Sequence, residues 1–241
     1  WLAQGSTGIS EIDYFVGSKY ITPKEEEGYF VEKIFALPEI SQVFTPPDFN
    51  VEIKDLPAKK NNFITFGCLN KLTKVNDEVI NLWSKILYLI PNSKILIKSW
   101  ELSNHNFRDK TLERFKKFNI DEKRIIFQGK SKTRKELLET YNKIDISLDP
   151  FPFQGNTSTC ESIWMGVPVL TLKGNRYLSH FGENINANLN LYDWIAKNKE
   201  EYVSKAKKFS LDINMLSDMR KNLRENFLKS KVCDAPRFAK H

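Results

Sequence analysis

A cluster of hydroxyl-bearing residues follows an apolar segment in the second half of the chain. The segment DISLD at 145–149 is mostly apolar, the chain then turns through two prolines and Gly155, and NTST follows at 156–159. A helix that begins at this cluster leaves its first backbone N–H groups without partners, at the positive end of the helix dipole. Gly155 lets another backbone approach closely. The stretch therefore predicts an anion site suited to phosphate.

The same residues also have a structural interpretation, in which Asn156 or Thr157 caps the helix. A cap needs one such side chain, and four in succession after a glycine exceed that need, which favours a ligand. Glu161 follows Thr157 by one helical turn, on the same face. Because a carboxylate would repel phosphate, its natural ligand is a hydroxyl group such as that of a ribose. The alternative role of Glu161 is to favour the helix N-terminus electrostatically.

A second loop, FGCLNKLTK at 66–74, carries Lys71 and Lys74. Gly67 and Asn70 in this loop suit a turn. A lysine at the carboxyl edge of a sheet can neutralise a diphosphate leaving group. Either lysine taken alone could equally be a solvated loop residue.

Alternating strands and helices would bring both loops to one edge of a sheet. This alternation indicates βαβ units and a parallel sheet covered on both faces. In such a sheet, ligands bind at the carboxyl ends of the strands. The chain after Gly174 is predicted to be helical, with apolar stripes that face the core. The predicted strands lie at 63–68, 94–99, 124–129, 145–149 and 167–173, and the predicted helices at 76–90, 107–118, 133–141 and 158–165.

Residues 1–60 do not follow this alternation. The segment IDYFV at 12–16 is typical of a strand, whereas the polar, proline-broken stretch at 46–62 is typical of a linker. We expect a domain boundary near residue 55. The chain starts at Trp1 and ends in a segment that could be the middle of a helix, so we expect a fragment cut at both ends.

The composition excludes several classes of protein. The chain has 241 residues, of which 41% are apolar and 28% charged, as in ordinary globular proteins. No apolar run approaches the length of a membrane span. The three cysteines and three histidines are scattered, without the spacing of a disulfide framework or a zinc site. We therefore expect buried thiols in a reducing compartment, the cytoplasm, and no bound metal.

The positive charge is unevenly distributed along the chain. The net charge is +7, but residues 1–60 hold 6 Lys and 10 Asp or Glu, a net −4, so the remainder carries +11. Such an excess can mark an anionic partner. The lysines fall on helix faces such as RFKKF and KAKKF and do not form a patch interleaved with aromatic residues. A solvated surface is the simpler interpretation, and nucleic acid is not an expected partner.

Several familiar motifs are missing from the sequence. It contains neither GxxxxGK[ST] nor GxGxxG, and its scattered histidines support no Ser-His-Asp arrangement. No DxD pair offers a clamp for a metal-bound diphosphate. A site that works without a metal is therefore expected.

Five sequence blocks point to a known family. The blocks IDYF, FGCLN, IPNS, GNTSTCESIWMGVPV and CDAPRFA occur in this order. Together they resemble the catalytic region of the O-linked N-acetylglucosamine transferase family, including its bacterial and SPINDLY-like members, over essentially the whole chain. The resemblance implies the α/β GT-B glycosyltransferase fold, with two Rossmann-like domains, a nucleotide sugar between them and tetratricopeptide repeats upstream. Residues 1–45 would then end the N-terminal, acceptor-side half, 46–62 would be a linker, and 63–241 would form the C-terminal donor-binding domain with its C-terminal helices.

The resemblance also implies roles for residues of the two loops. Lys74 matches the family lysine that contacts the diphosphate of the donor and supports departure of the leaving group. Thr157 and Ser158 match the paired hydroxyl residues that hold the phosphates, and Asn156 precedes them. Glu161 matches the acidic residue that hydrogen-bonds the ribose.

Other matched positions concern the sugar and the base. Leu2 and Ala3 lie where the family lines the donor sugar pocket, and Arg134 aligns with a basic residue near the uracil. Leu137 stands where family members often carry a histidine beside the base, and the loop after Leu2 departs from the usual one. The histidines with acid/base or acceptor roles in the family lie upstream of Trp1.

The resemblance therefore implies an inverting, metal-independent glycosyltransferase that uses no cofactor. It would transfer GlcNAc from UDP-GlcNAc to Ser or Thr hydroxyls of an acceptor protein. One alternative is the same fold with GDP-fucose or UDP-glucose as donor. Another is a non-catalytic module that binds a nucleotide sugar. A basic nucleic-acid-binding domain is a third, against which the lack of a focused basic patch argues.

Overall fold

A computed structural model describes residues 5–240 of the chain. Within these residues, eight strands form one two-stranded sheet and one six-stranded sheet. All neighbouring strands pair in parallel. The strands are β1 (Tyr14–Ser18), β2 (Lys33–Leu37), β3 (Thr65–Cys68), β4 (Lys94–Lys98), β5 (Ile125–Gln128), β6 (Ile146–Leu148), β7 (Val169–Leu172) and β8 (Ile195–Ala196).

The order of the strands in the larger sheet creates a crevice at its centre. That order is β5-β4-β3-β6-β7-β8. Strands β4 and β5 are added on one side of β3, and β6, β7 and β8 are added on its other side. Strands β3 and β6 are neighbours, with Phe66 opposite Ile146. This is the Rossmann order, and its switch point lies between β3 and β6. The loops after these two strands are the two loops with predicted chemistry.

The helices begin where polar residues can cap them. Asn76 accepts a hydrogen bond from the Val79 backbone N–H at 2.9 Å, and Thr133 accepts one from Glu136 at 3.1 Å. Both starts agree with the capping signals in the sequence. The helices are α1 (Pro57–Asn61), α2 (Asp77–Leu89), α3 (His105–Lys116), α4 (Arg134–Glu139), α5 (Thr157–Trp164), α6 (Phe181–Asn188), α7 (Lys199–Leu211), α8 (Ile213–Leu228) and α9 (Ala235–Phe238).

Two apolar cores cover the two faces of the six-stranded sheet. Alternate residues of β4 point to opposite faces, so that Ile95 and Ile97 belong to one core and Leu96 to the other. Helices α2, α3 and α7 contribute to the first core, α4, α5 and α6 to the second, and α8 to both. The predicted parallel sheet with two buried faces is confirmed.

Two elements differ from the expectations. Strand β8 lies in the region after Gly174 that was expected to be helical, because a strand of two residues is too short to produce a periodic pattern. Helix α1 lies within the expected linker 46–62 and has a proline at its first position. The Asp145 carboxylate accepts a hydrogen bond from the Ala58 backbone N–H at 2.8 Å and so holds α1 against the sheet. The domain boundary near residue 55 stays a prediction.

The two-stranded sheet is attached to the larger one through a buried histidine. The expected strand at 12–16 is displaced by two residues, to Tyr14–Ser18. His180 is fully buried, and its ring nitrogens lie 2.9 Å from Glu26 and 2.8 Å from Glu183. The contact fixes the segment between β1 and β2 against α6. No helix within residues 5–240 has both the length and the apolar character needed to cross a bilayer.

Candidate functional site

A cavity of about 850 Å³ opens at the carboxyl edge of the sheet, beside the ends of β3 and β6. Its volume is in the range of pockets that bind small molecules and cofactors. Its walls come from the loop after β3, from the start of α5, from the segment 40–44 and from the C-terminal residues. The cavity brings together six of the predicted site residues, which are Lys71, Lys74, Asn156, Thr157, Ser158 and Glu161.

The start of α5 faces this cavity without a side-chain cap. The helix begins at Thr157, and Asn156 makes no capping hydrogen bond; its amide instead donates to the Gln42 side chain. Thr157 is exposed and Ser158 is half-buried. The capping role considered for Asn156 is therefore not the one this structure shows. The first turn presents hydroxyl groups and backbone N–H groups to the cavity, as an anion site requires.

A buried carboxyl group supports the turn that precedes α5. The Asp149 carboxylate accepts hydrogen bonds from the Gly155 backbone N–H at 2.7 Å and from the Thr171 hydroxyl at 3.0 Å. Burial raises the pKa of Asp149 to about 7, although these hydrogen bonds and Lys74 act in the opposite direction. Gly155 is itself buried and lies behind the cavity wall. Its role in this structure is therefore to let the turn pack closely.

Lys74 reaches from the first loop to the second. Its ammonium group donates to the Gln154 backbone carbonyl at 2.7 Å and lies 3.8 Å from the centre of the Phe153 ring. Burial lowers the pKa of Lys74, and the nearby Asp149 carboxylate acts in the opposite direction. Gln154 is held in turn, since its side-chain carbonyl accepts from the Gly182 backbone N–H at 2.7 Å. The lysine is thus positioned at the cavity by rigid neighbours.

Asn70 joins the two loops and was not predicted as a site residue. Its side-chain oxygen accepts hydrogen bonds from the Ser158 hydroxyl at 2.9 Å and from the Lys74 ammonium at 3.4 Å. The only signal in the sequence was its suitability for a turn. Phe153 and Gln42, which also line the cavity, gave no signal that separates them from other loop residues.

Glu161 and Arg134 form an ion pair at the edge of the cavity. Their side chains lie 3.4 Å apart. Burial raises the pKa of Glu161, and Arg134 partly offsets that shift. The Glu161 side chain is 13% exposed and that of Arg134 is 50% exposed, so a mostly buried carboxylate pairs with a solvent-exposed partner. The pair presents one carboxylate next to the hydroxyl-bearing turn.

The remaining predicted residues do not line the cavity. Arg134 contacts it only through Glu161, and Leu137 is half-buried and packs against the second apolar core. Leu2 and Ala3 lie outside the described residues, so the predicted sugar contacts stay predictions. Within residues 5–240, no group of three or more His, Cys, Asp and Glu side chains is arranged to hold a metal ion.

Comparison with known proteins gives a family match over most of the chain. The family model described as Glycosyl transferase family 41 matches residues 45–241. A relative from Hordeum vulgare, named as a probable UDP-N-acetylglucosamine–peptide N-acetylglucosaminyltransferase SPINDLY, is 33% identical over 235 residues. These cover 98% of this chain and 25% of that protein. The chain spans about a quarter of the length of the curated relatives it matches.

Solved structures agree on the fold. A point mutant of the Thermobaculum terrenum O-GlcNAc transferase superposes with a TM-score of 0.88 at 28% identity, covering 98% of this chain and 44% of that one. The TarM protein of S. aureus superposes with a TM-score of 0.64 at 15% identity, over 93% of this chain and 42% of that one, a likeness in fold alone. The expected GT-B architecture is confirmed.

Proposed function

The chain belongs to glycosyl transferase family 41, and on that premise we propose that it forms the donor-binding part of a protein O-glycosyltransferase. The enzyme would be inverting and metal-independent, and would transfer GlcNAc from UDP-GlcNAc to Ser or Thr hydroxyls of an acceptor protein. The observation that carries the proposal is the cavity in which Lys71 and Lys74 face the hydroxyl-bearing start of α5. Two cations and a helix N-terminus form a site for a diphosphate.

The arrangement suggests how a nucleotide sugar would lie. The diphosphate would accept hydrogen bonds from Thr157, from Ser158 and from the first N–H groups of α5. The Lys74 ammonium would exchange the Gln154 carbonyl for a phosphate oxygen. Glu161 lies one turn along α5, where its carboxylate can accept hydrogen bonds from ribose hydroxyls. Phosphate and ribose thus have separate partners of suitable charge.

These contacts would lower the barrier of sugar transfer at the leaving group. The acceptor oxygen forms a bond to the anomeric carbon, the bond from that carbon to the diphosphate oxygen breaks, and the electron pair leaves with the diphosphate. The negative charge that develops there is stabilised by Lys74 and the helix N-terminus, a contribution that grows toward the transition state. The hydroxyl proton passes to a base outside this chain, upstream of Trp1, as the family resemblance implies.

A different donor is the second candidate. Leu137, at the position where many family members have a histidine, packs against the second apolar core and offers no imidazole to a base. This departure leaves GDP-fucose and UDP-glucose as alternatives to UDP-GlcNAc. A panel of the three donors, with nucleotide release as the readout, separates them in a protein that contains the complete catalytic region.

The substitution Lys74→Ala tests the proposed role in catalysis. In a protein with the complete catalytic region, we expect it to reduce kcat by about 100-fold or more, because a charged group aimed at the developing oxyanion is lost. The control is Lys110→Ala, which removes an exposed lysine of α3 away from the cavity. Unchanged turnover in Lys74→Ala would refute the role of this residue.

Binding measurements separate an enzyme from a module that only binds. Calorimetric titration of the chain with UDP should show an affinity that falls in both Lys74→Ala and Ser158→Ala. If UDP binds but no donor of the panel is turned over, the non-catalytic alternative holds. If neither UDP nor GDP binds, the assignment of the cavity is wrong.

A further inference from the structure

A second groove lies away from the donor cavity, on the sheet face beside the edge strand β5. Its volume is about 760 Å³. Its apolar floor consists of the half-buried Phe63, from the segment before β3, and Ile126 of β5, with the almost fully buried Leu56 and Leu96 beside them. None of these residues has a role in the proposed sugar transfer. The groove is therefore a separate feature of the molecule.

The rim of this groove is strongly basic. Lys54, Lys59, Lys60 and Lys143 line it, and all four are exposed. Asp55 is the single carboxylate among the described residues of its lining. Four ammonium groups against one carboxylate create a local positive potential that attracts an anionic partner.

The two rims are held in fixed positions by a buried arginine. The Arg220 guanidinium donates to the Lys54 carbonyl at 3.0 Å, to the Ile144 carbonyl at 2.9 Å and to the Asn142 side chain at 3.1 Å. It thereby connects the segment that carries Lys54 to the turn that carries Lys143. A groove with fixed rims loses little conformational freedom when a ligand binds.

An adjoining cavity contains a buried lysine. Lys98 is only 8% exposed, and its ammonium donates to the Gly129 carbonyl at 2.8 Å. Within residues 5–240 no carboxylate lies within ion-pair distance of it. This cavity shares Lys54 and Lys143 with the groove. Burial lowers the pKa of Lys98 and Lys143 lowers it further, whereas Glu136 raises it. The lining of this cavity also includes Glu52, Glu136 and Glu139, so the excess of positive charge belongs to the groove and not to this cavity.

We propose that this groove docks an acidic segment of a partner protein, in which carboxylate side chains alternate with apolar ones. The apolar side chains would cover the floor, and the carboxylates would pair with the lysines of the rim. Charge complementarity selects the acidic character, and the apolar floor selects a peptide over a nucleic acid. The one aromatic ring of the floor, Phe63, already has the Lys94 ammonium 4.6 Å from its centre and is poorly placed to stack on a base.

Fluorescence anisotropy with a defined probe tests the proposal on the chain itself. The probe is a short fluorescein-labelled peptide of alternating glutamate and leucine. Its comparators are a glutamate–glycine peptide, a lysine–leucine peptide and poly-uridine RNA. We expect the glutamate–leucine peptide to bind most tightly, with an affinity that falls as salt is added.

Two variants locate the binding, and one serves as their control. The double variant Lys60→Glu/Lys143→Glu should weaken the glutamate–leucine peptide by about tenfold or more, because two attractive charges become repulsive. Ile126→Thr should weaken it by about threefold through loss of apolar contact. The matched control Lys110→Glu/Lys207→Glu makes the same charge change on α3 and α7, at exposed positions outside the groove.

Three results would overturn the proposal. In the first, the glutamate–leucine peptide does not bind. In the second, the groove double variant and its control lose the same affinity for this peptide. In the third, RNA binds more tightly than the peptide, and the groove double variant no longer binds the RNA. The last result would identify a nucleic-acid surface instead. Because none of these measurements depends on sugar transfer, a failure here leaves the proposed function untouched.

Discussion

Asp149 is buried beneath the turn that precedes α5, with 2% of the residue exposed and two hydrogen bonds that hold its carboxylate in place. The pKa of about 7 means that the folded chain retains a proton that the unfolded chain, with an ordinary value of 3.8, releases. Asp145 behaves in the same way, since burial raises its pKa to about 6. These two groups therefore stabilise the folded chain most at a pH below 3.8. Their contribution is lost as the pH rises to about 6 for Asp145 and to about 7 for Asp149.

The free energy of unfolding should accordingly fall between about pH 4 and about pH 7, and this fall should end above pH 7. Each fully linked proton changes it by about 1.4 kcal/mol per pH unit. In Asp149→Asn, the change of this free energy with pH should be smaller by up to about 1.4 kcal/mol per pH unit, because the amide does not titrate. Chemical denaturation across this pH range measures the slope. The control is Asp109→Asn, at an exposed position of α3. If Asp149→Asn has the same slope as the unchanged protein, Asp149 does not contribute to the pH dependence of folding.

Individual site residues differed in how far the sequence could predict them. The positions of Lys74, Thr157 and Ser158 at one edge of the sheet were predictable, because they follow from a strand end and a helix start; their chemical roles stay predictions. Asn70 and Gln154 were not, because their roles arise from partners far away in the chain. The bond from Lys74 to the Gln154 carbonyl spans 80 positions, and the bond from Ser158 to Asn70 spans 88.

At the scale of elements, the start of α5 depends on close packing at Gly155. A β-carbon at this position would lie 2.6 Å from the Ser158 hydroxyl, 2.7 Å from the Thr159 hydroxyl and 3.1 Å from the Asp149 carboxylate. These distances are too short for ordinary contacts. The turn and the first residues of α5 would have to move apart.

Gly155→Ala should therefore weaken UDP binding by displacing the hydroxyl groups of α5. We expect a cost of about 1–3 kcal/mol in stability, as for other overpacked positions. Calorimetry with UDP and thermal unfolding would measure both effects. Gly28→Ala is the matched control, since a β-carbon there has open space around it. Equal behaviour of the two variants would show that the turn tolerates the extra carbon.

The regular elements were more predictable than the irregular ones. Strands β3 to β7 and helices α2 to α5 follow from alternating apolar segments and capping residues that lie close in sequence. Strand β8 contains only Ile195–Ala196, and its pairing with β7 is decided by tertiary contact and not by a local pattern. Helix α1 depends on the distant carboxylate of Asp145 for its position.

At the scale of the whole molecule, His180 connects the N-terminal two-stranded sheet to the part of the chain that carries the six-stranded sheet. Burial lowers the pKa of His180, whereas its hydrogen bonds to Glu183 and Glu26 raise it, and the net shift is upward. Packing of Phe15 against Tyr177, with ring centres 5.2 Å apart, adds an apolar contact between the same two parts. No local pattern in the sequence could reveal this connection, because Glu26 and His180 are 154 positions apart.

Glu26→Ala should loosen this connection. We expect a loss of about 3 kcal/mol in stability, since a buried partner of a charged group is removed, and faster proteolytic cleavage within residues 5–37. Limited proteolysis with mass spectrometry would locate the cuts. Glu27→Ala, an exposed neighbour, is the control. Equal cleavage in both variants would show that the histidine contact does not secure the sheet.

The position of Lys74 has a further consequence for chemical labelling. Its ammonium group is half-buried at an open cavity, and burial lowers its pKa. A larger fraction of this amine is therefore neutral, and hence nucleophilic, than for an exposed lysine at the same pH. Under the proposed function, an activated ester carried on a uridine scaffold would meet this amine where the phosphates are expected to lie, so that the cavity could be tagged covalently at Lys74.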